Sequence, residues 1–303
     1  MRSEEYTHER SHLFYYGESG SPIARSLLSH RIGYIVDISQ EIDDLKREYE
    51  VVVLQNEILG EASIRIIEGI RHAYPDTRIM LAYRGTMSPL FPLMNTYKIE
   101  MIVDERCGET PLFPLLVQRV GHDEEAMALA TIMGESASIE SFDFRFYEDN
   151  NVLTSRLVAL YTEEKISENV IVKARLILEE LVNNALYHAF RKEGKAFKYE
   201  TGKFKALREK DTVEVKFGYN ERMCAVSVND NAGMLKRGSV IDNLIVHDSK
   251  KGLYDRSGRG LYLSLMSSSG LCIDITEGVR TKITAFLDRK NLLYPRVLVI
   301  KQH

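Results

Sequence analysis

Three hundred and three residues, 44% hydrophobic and 28% charged, correspond to two domains at roughly 150 residues each and exclude disorder, collagen or coiled coil as the whole architecture. Forty Lys and Arg against 44 Asp and Glu leave a formal charge of -4. That balance lacks the basic excess that phosphate-backbone binding requires, so no nucleic-acid partner is expected. Cys107, Cys224 and Cys272 are far apart, form no CxxC and are odd in number; they read as reduced, half-buried packing residues rather than a disulfide framework or zinc ribbon. No apolar run approaches the roughly 20 residues that span a bilayer. The start MRSEEYTHERSH has no apolar signal-peptide core, so a cytoplasmic protein with no membrane partner is expected.

Along residues 1–133, short β-rich runs alternate with helical stretches. The candidate strands are Leu13 to Tyr16, Arg31 to Val36, Val51 to Leu54, Arg78 to Tyr83 and Glu100 to Val103, each too continuously apolar for a half-exposed sheet. Buried parallel strands fit that pattern. Ile64, Ile67 and Ile70 repeat at helical spacing before Pro75 and Asp76 supply a stop. Five β-then-α units result, and right-handed crossovers make them a doubly wound five-stranded parallel sheet. Over roughly residues 10 to 130 this resembles the receiver domain of bacterial response regulators, without its chemistry: Gln55 stands where the phosphate-accepting Asp belongs, and the first strand leads to Tyr16, Gly17 and Glu18. An amide oxygen cannot serve as the carboxylate nucleophile, so a phosphate-independent pseudo-receiver is expected. Residues 110 to 134 read as its last helix, prolonged into a connector.

The boundary is expected near the small, polar stretch 134 to 141, with a second domain at 134–303. Phe142, Phe144 and Phe146 then alternate with polar neighbours, as in a strand with one buried face. In residues 168 to 191, Val170, Ala174, Ile177, Leu178, Leu181 and Ala185 form one helical stripe, and Glu180, Asn184 and His188 recur every four residues beside it. Four residues rise about 6 Å, so a carboxylate and an amide stand one turn apart. Asn184 can then give magnesium one carbonyl oxygen while Glu180 polarises a hydroxyl or water; the bland reading is a polar shoulder on an amphipathic helix.

The run CAVSVNDNAGML ends in Asp230, Asn231, Ala232 and Gly233. A carboxylate there can accept from an exocyclic amine while small neighbours admit a flat base; a simple turn is the alternative. In RSGRGLYL, Gly258 and Gly260 open a helix whose freed N–H groups can cradle phosphate. LCIDITEGVRTKITAFL gives two β-runs around a turn, with Gly278 and Thr281 as G-x-x-T.

In order and separation these four pieces, across residues 136 to 295, resemble the nucleotide-binding boxes of the GHKL ATP-binding superfamily, which includes gyrase, histidine kinases and the anti-sigma factor serine kinases. The resemblance implies an α/β sandwich, helices on one face of a mixed sheet, binding Mg-ATP under a lid. Residue by residue it implies Asp230 on the adenine amino group beside Ala232 and Gly233, Asn184 on magnesium, Glu180 as catalytic base, Gly258, Arg259, Gly260 and Leu261 around the phosphates, and Thr281 supporting the adenine side. The family's D-x-G-x-G becomes D-N-A-G-M here, so Ala232 restricts the backbone at the adenine pocket. Leu235 to Ser257 is the expected lid, with Lys236, Arg237, Lys250, Lys251 and Arg256 suited to triphosphate oxygens. Tyr199 to Asp211 reads as an exposed, charged hairpin or partner-binding loop.

Residues 110 to 150 are too short for the two long dimerising helices of a histidine kinase, and the chain ends too soon after Thr281 for a gyrase-type transducer. The compact form looks most like the anti-sigma factor serine kinases. That resemblance implies γ-phosphoryl transfer from ATP to a Ser or Thr of a small antagonist protein, sequestration of a sigma-like regulator, and a possible homodimer. A non-catalytic ATP-dependent switch, or a scaffold without ATP, stands as the alternative.

Overall fold

The computed structural model describes residues 11–29, 34–45, 47–55, 61–110, 112–121, 129–134, 136–190, 198–200, 203–248, 259–289 and 297–303. The chain is mixed α/β. Its contacts divide it into one unit of residues 1–85 with 97–123 and another of residues 86–96 with 124–303. Among the described residues no helix is long and apolar enough to cross a membrane.

The first unit holds β1 (Ser11–Tyr16), β2 (Tyr34–Ser39), β3 (Val51–Gln55), β4 (Arg78–Tyr83) and β5 (Met101–Asp104). They lie in the order β2-β1-β3-β4-β5 with every pair parallel. This order reverses beside β1, so right-handed crossovers place helices on both faces. Helices α1 (Pro22–Ser29) and α4 (Leu112–Gly121) touch one another, as that winding requires, and α2 (Glu61–Ala73) joins β3 to β4. Strands β3 and β5 are buried throughout, β4 from Ile79 onward and β1 from Leu13 to Tyr15, whereas β2 is only partly covered. Its edge position relaxes the demand for apolar residues, and the described strand runs on to Ser39, three residues beyond the expected end at Val36; residues 31–33 lie outside the described chain.

Not all five β-then-α units carry a helix there. Between β2 and β3 the described chain makes only a 3-10 turn, Ile42–Asp44. The helix after β4, α3 (Phe91–Thr96), is six residues long and belongs by its contacts to the second unit. Of the stretch from 110 to 134, helix is described over α4 (Leu112–Gly121) and α5 (Leu129–Met133), and residues 122–128 lie outside the described chain.

The second unit contains β6 (Ser138–Phe144), β7 (Val213–Tyr219), β8 (Met223–Asp230), β9 (Gly270–Thr276), β10 (Arg280–Asp288) and β11 (Val297–Gln302). Their order is β11-β9-β10-β8-β7-β6, with β11 parallel to β9 and all other pairs antiparallel. Helices α6 (Asp149–Glu163), α7 (Glu168–Asn184) and α9 (Arg259–Ser267) pack together over one face. The apolar stripe of α7, from Val170 to Leu181, is fully buried there. On the other face α5 lies over Gly218, where any Cβ would stand 2.6 Å from the Met133 sulfur.

Two local expectations fail. Phe146 falls outside β6 and is exposed, because the strand ends at Phe144 and Asp149 turns the chain by accepting from the Arg145 and Phe146 N–H groups. The charged stretch Tyr199 to Asp211 is not an exposed hairpin. Tyr199, Phe204 and Leu207 are buried, Tyr199 packs edge-on to Phe190 and Phe204, and buried Asp211 takes hydrogen bonds from Lys198 (2.7 Å) and the Tyr199 hydroxyl (2.6 Å). The three cysteines are wholly buried, not half-buried, and burial pushes their thiols up.

Candidate functional site

Strand β8 is buried from Met223 through Val228 and ends at Asp230, where the carboxylate closes a tight turn. Its Oδ1 accepts from the N–H groups of Ala232 (2.9 Å) and Gly233 (3.2 Å), an Asx-type arrangement that ends the strand. Gly233 has φ +58°, and a Cβ there would meet the Thr276 carbonyl oxygen at 2.3 Å and the Val279 and Arg280 nitrogens at 2.5 and 2.6 Å. Only glycine fits. The Gly233 carbonyl in turn accepts from Gly278 N–H at 3.0 Å, tying the end of β8 to the β9–β10 turn. Asp230 is 5% exposed. Burial pushes its carboxyl up to about 6, against the opposing pull of backbone hydrogen bonds from Ala232, Gly233 and Thr281.

Thr281 on β10 stands directly opposite Asp230 in the antiparallel register. Its hydroxyl is buried without a hydrogen-bond partner, as is the Asn184 Nδ2 on α7. Immediately after Asn184 the helix widens into one π-helical turn, Ala185–Ala189, a distortion common at functional sites. It carries His188 and Ala189 to the same cleft.

The cleft encloses about 200 Å3. Its floor is Val228 and Asp230 of β8 with Thr281 and Ile283 of β10, and α7 with its π turn forms one wall. The opposite wall is Met234, Leu235 and Lys236 followed by Ser239 and Asn243 of α8 (Arg237–Asp248), with Leu261 of α9 closing the end. That volume lies below the ~300–1,000 Å3 of complete drug-sized pockets and suits one flat heterocycle better than a whole extended ligand.

Glu180 stands one turn before Asn184, outside that lining. Both side chains converge on Gly260, in the first turn of α9: a Cβ there would be 2.6 Å from Glu180 Oε2 and 3.1 Å from Asn184 Nδ2. The missing side chain at 260 therefore lets α9 approach α7 at the level of the carboxylate and the amide. Burial raises the Glu180 carboxyl above its ordinary value, Glu179 adds to the rise, and Arg259 opposes it.

Of the sequence-derived residues, Asn184, Asp230, Leu261 and Thr281 line the cleft, Ala232 and Gly233 close the turn on Asp230, and Glu180 meets Gly260, next to Arg259 at the start of α9, outside that lining. Gly258 lies outside the described residues, as do Lys250, Lys251 and Arg256. The described part of the expected lid is a packed helix with Val240, Ile241 and Leu244 fully buried. Lys236 lines the cleft, with an exposed ion pair to Glu277 at 3.7 Å. Arg237 is instead turned onto main-chain carbonyls, those of Ile300 and Met94.

Ser239 and Asn243 were not foreseen as cleft residues. They are one turn apart on α8, but α8 has no sustained apolar stripe from which its orientation can be read. Among the described residues no group of three or more His, Cys, Asp or Glu side chains gathers as a metal site. No protein-family model matches the chain, and no match appears among the curated proteins.

Proposed function

We propose that the second unit is a GHKL-type module of the anti-sigma factor serine kinase kind, which binds Mg-ATP in the β8–β10–α7 cleft and transfers its γ-phosphoryl group to a Ser or Thr of a partner protein. The observation that carries this reading is the meeting of a buried carboxylate, Asp230, with two buried, unpartnered polar atoms, Asn184 Nδ2 and Thr281 Oγ1, at one cleft. Buried polar groups are nearly always satisfied, so unused hydrogen-bonding capacity gathered at a concave site suits a polar ligand. The residues fit the nucleotide. Asp230 supplies an acceptor for an exocyclic amine on an apolar floor, and Asn184 Oδ1 would supply one oxygen to magnesium, a cation that favours oxygen ligands.

In the transfer, Glu180 accepts the proton of the attacking hydroxyl as its oxygen bonds to the γ-phosphorus, and the bond from that phosphorus to the bridging oxygen of the departing ADP breaks. The raised Glu180 carboxyl is the better base for it. The partner is an anti-anti-sigma-like antagonist, with a sigma-like regulator held on the same unit. The first unit serves as a phosphate-independent, receiver-like regulatory domain. In support, Gln55 is buried at the end of β3, and its Oε1 accepts from Glu18 N–H (2.7 Å) and the Tyr15 hydroxyl (3.1 Å).

A second reading, an ATP-dependent switch without catalysis, is favoured by the position of Glu180 beside Gly260 and outside the cleft lining. Calorimetric titration of Mg-ATP into the wild type and Asp230→Asn tests the common ground. In the variant a donor replaces an acceptor facing the base, and losing a charged hydrogen bond of about 1.5–3 kcal/mol predicts roughly ten- to 150-fold weaker binding. Absence of wild-type binding at millimolar Mg-ATP refutes both readings. Glu180→Gln then separates them: unchanged affinity with phosphotransfer abolished supports the kinase, and unchanged phosphorylation sinks it.

A further inference from the structure

Helix α8 presents Ser239 and Asn243 to the cleft, and Met234 to Lys236 lead into it. Part of what holds this wall in place lies far away in the sequence. The segment 86–96, comprising a 3-10 turn at Ser88–Leu90 and α3, packs along α8. Leu90, Phe91 and Met94 are buried, as are Val240, Ile241 and Leu244 on α8.

Polar contacts fix the two elements at both ends. At the end of α8, the Ser88 hydroxyl donates to the Asp248 carboxylate, which also faces the Tyr262 hydroxyl at 3.5 Å. At its start, the Arg237 guanidinium donates to the Met94 carbonyl at 3.1 Å and to the Ile300 carbonyl, and the Arg237 N–H donates to Gln302 Oε1 at 3.2 Å. Ser88 meets the last residue of α8 and Met94 the first, so the two segments run antiparallel. Arg237 is adjacent in sequence to Lys236 of the cleft lining, and Ser239 follows two residues later. Helix α8 also packs against α9, and it meets the sheet at β11.

The segment is nevertheless part of the other unit's chain path. It interrupts the first unit between β4 and β5, where a doubly wound domain carries its own crossover helix. We infer that residues 86–96 are a strut that sets the position of α8, and that through it the receiver-like unit regulates how tightly the cleft holds its nucleotide. The regulatory half of this inference rests on the nucleotide reading; the strut itself does not. Linkage makes the effect reciprocal: a bound nucleotide that needs α8 in place holds 86–96 against it, and freeing 86–96 weakens the nucleotide by the same factor.

Hydrogen–deuterium exchange and Mg-ATP titration of the full chain test this with Arg237→Ala and Ser88→Ala, which loosen opposite ends of the strut. Ser88 lies outside the cleft lining, so an effect of its loss on affinity cannot come from a missing nucleotide contact. Both variants should speed exchange across 86–96 and 237–248 while β8 and β10 keep wild-type protection. Both should weaken Mg-ATP by at least about fivefold, the lower end of ordinary allosteric coupling. In the wild type, Mg-ATP should slow exchange across 86–96. If only Arg237→Ala weakens binding, Arg237 acts by direct contact and the strut inference falls. It falls equally if both segments loosen at unchanged affinity. Should the wild type bind no Mg-ATP, the nucleotide reading and the regulation fail together; the strut then survives only if both variants still speed exchange at 239–243. Where Arg237→Ala does not fold, Ser88→Ala carries the comparison alone.

Discussion

Replacing Asp230 by Asn should change the pH dependence of stability in a calculable way. The buried carboxyl is raised from an ordinary 3.8 to about 6, so between those values the folded chain binds more protons at this site than the unfolded chain does. Stability therefore falls as pH rises through that window, and the whole cost of burying the charge is present above it. A difference of roughly two units corresponds to about 3 kcal/mol at 1.36 kcal/mol per unit. The side chain is 5% exposed, so solvent screening takes little from that figure. Asparagine keeps the shape and an oxygen for the Ala232 and Gly233 N–H groups, but has no charge to bury. Whatever fixed cost its NH2 group adds does not vary with pH. The difference in unfolding free energy, variant minus wild type, should thus rise by about 2.5 kcal/mol between pH 4 and pH 8, or roughly 5–10 °C in Tm for a unit of this size. Thermal unfolding of both proteins at half-unit pH steps measures it. Parallel pH profiles would refute the buried, charged Asp230 on which the site is built.

Three further substitutions separate structural from functional roles. Gly233→Ala places a Cβ against main-chain atoms at a left-handed residue and should cost more than about 2 kcal/mol in a urea titration; near-neutral stability would mean that the turn is not as described. Gly260→Ala meets only the ends of flexible side chains, Glu180 and Asn184. It should leave the melting temperature within a few degrees of wild type yet displace both groups, so Mg-ATP binding weakens and phosphotransfer is lost; full activity would remove Glu180 and Asn184 from the mechanism. Asp211→Ala strands Lys198 and the Tyr199 hydroxyl around a buried position and should destabilise by about 3 kcal/mol, without changing nucleotide affinity per folded molecule.

Strand positions were legible wherever burial on both faces forces a continuous apolar run. Strand β4 starts and ends where the sequence places it, whereas the edge strand β2 runs on to Ser39, past the expected end at Val36, because only one side of it is constrained. The identity of α3 as a helix is readable from its apolar residues, but its allegiance is not. An amphipathic face records that something covers it and carries no information on which unit does so. On the site side, the four-residue spacing of Glu180, Asn184 and His188 and the abrupt strand end at Asp230 were visible, because helical geometry and turn chemistry are local. Ser239 and Asn243 were hidden, since short polar residues on a weakly amphipathic helix mark solvent as readily as a cleft. Tyr199, Phe204 and Leu207 were masked by the charges around them, although three large apolar side chains in nine residues are a signal of anchoring.

The cleft gathers groups that each destabilise the unbound fold. Burying the Asp230 charge costs about 3 kcal/mol by its pKa, and each polar atom left without a partner, Asn184 Nδ2 and Thr281 Oγ1, costs about 1–3 kcal/mol more. A ligand that binds only the folded state at a hundred times its Kd returns about 2.7 kcal/mol, comparable in size to any one of these penalties. Packing alone gives no reason for all three to share one cleft, because the Asp230 charge exceeds what closing the turn requires and a smaller or apolar residue at 184 or 281 would leave no polar atom without a partner. Their convergence from α7, β8 and β10, residues widely separated in sequence, is intelligible if the relevant state of this unit is the one with hydrogen-bonding groups of a ligand in the cleft. It also follows that occupancy and stability of the second unit are linked, so a strut that moves α8 acts on both at once.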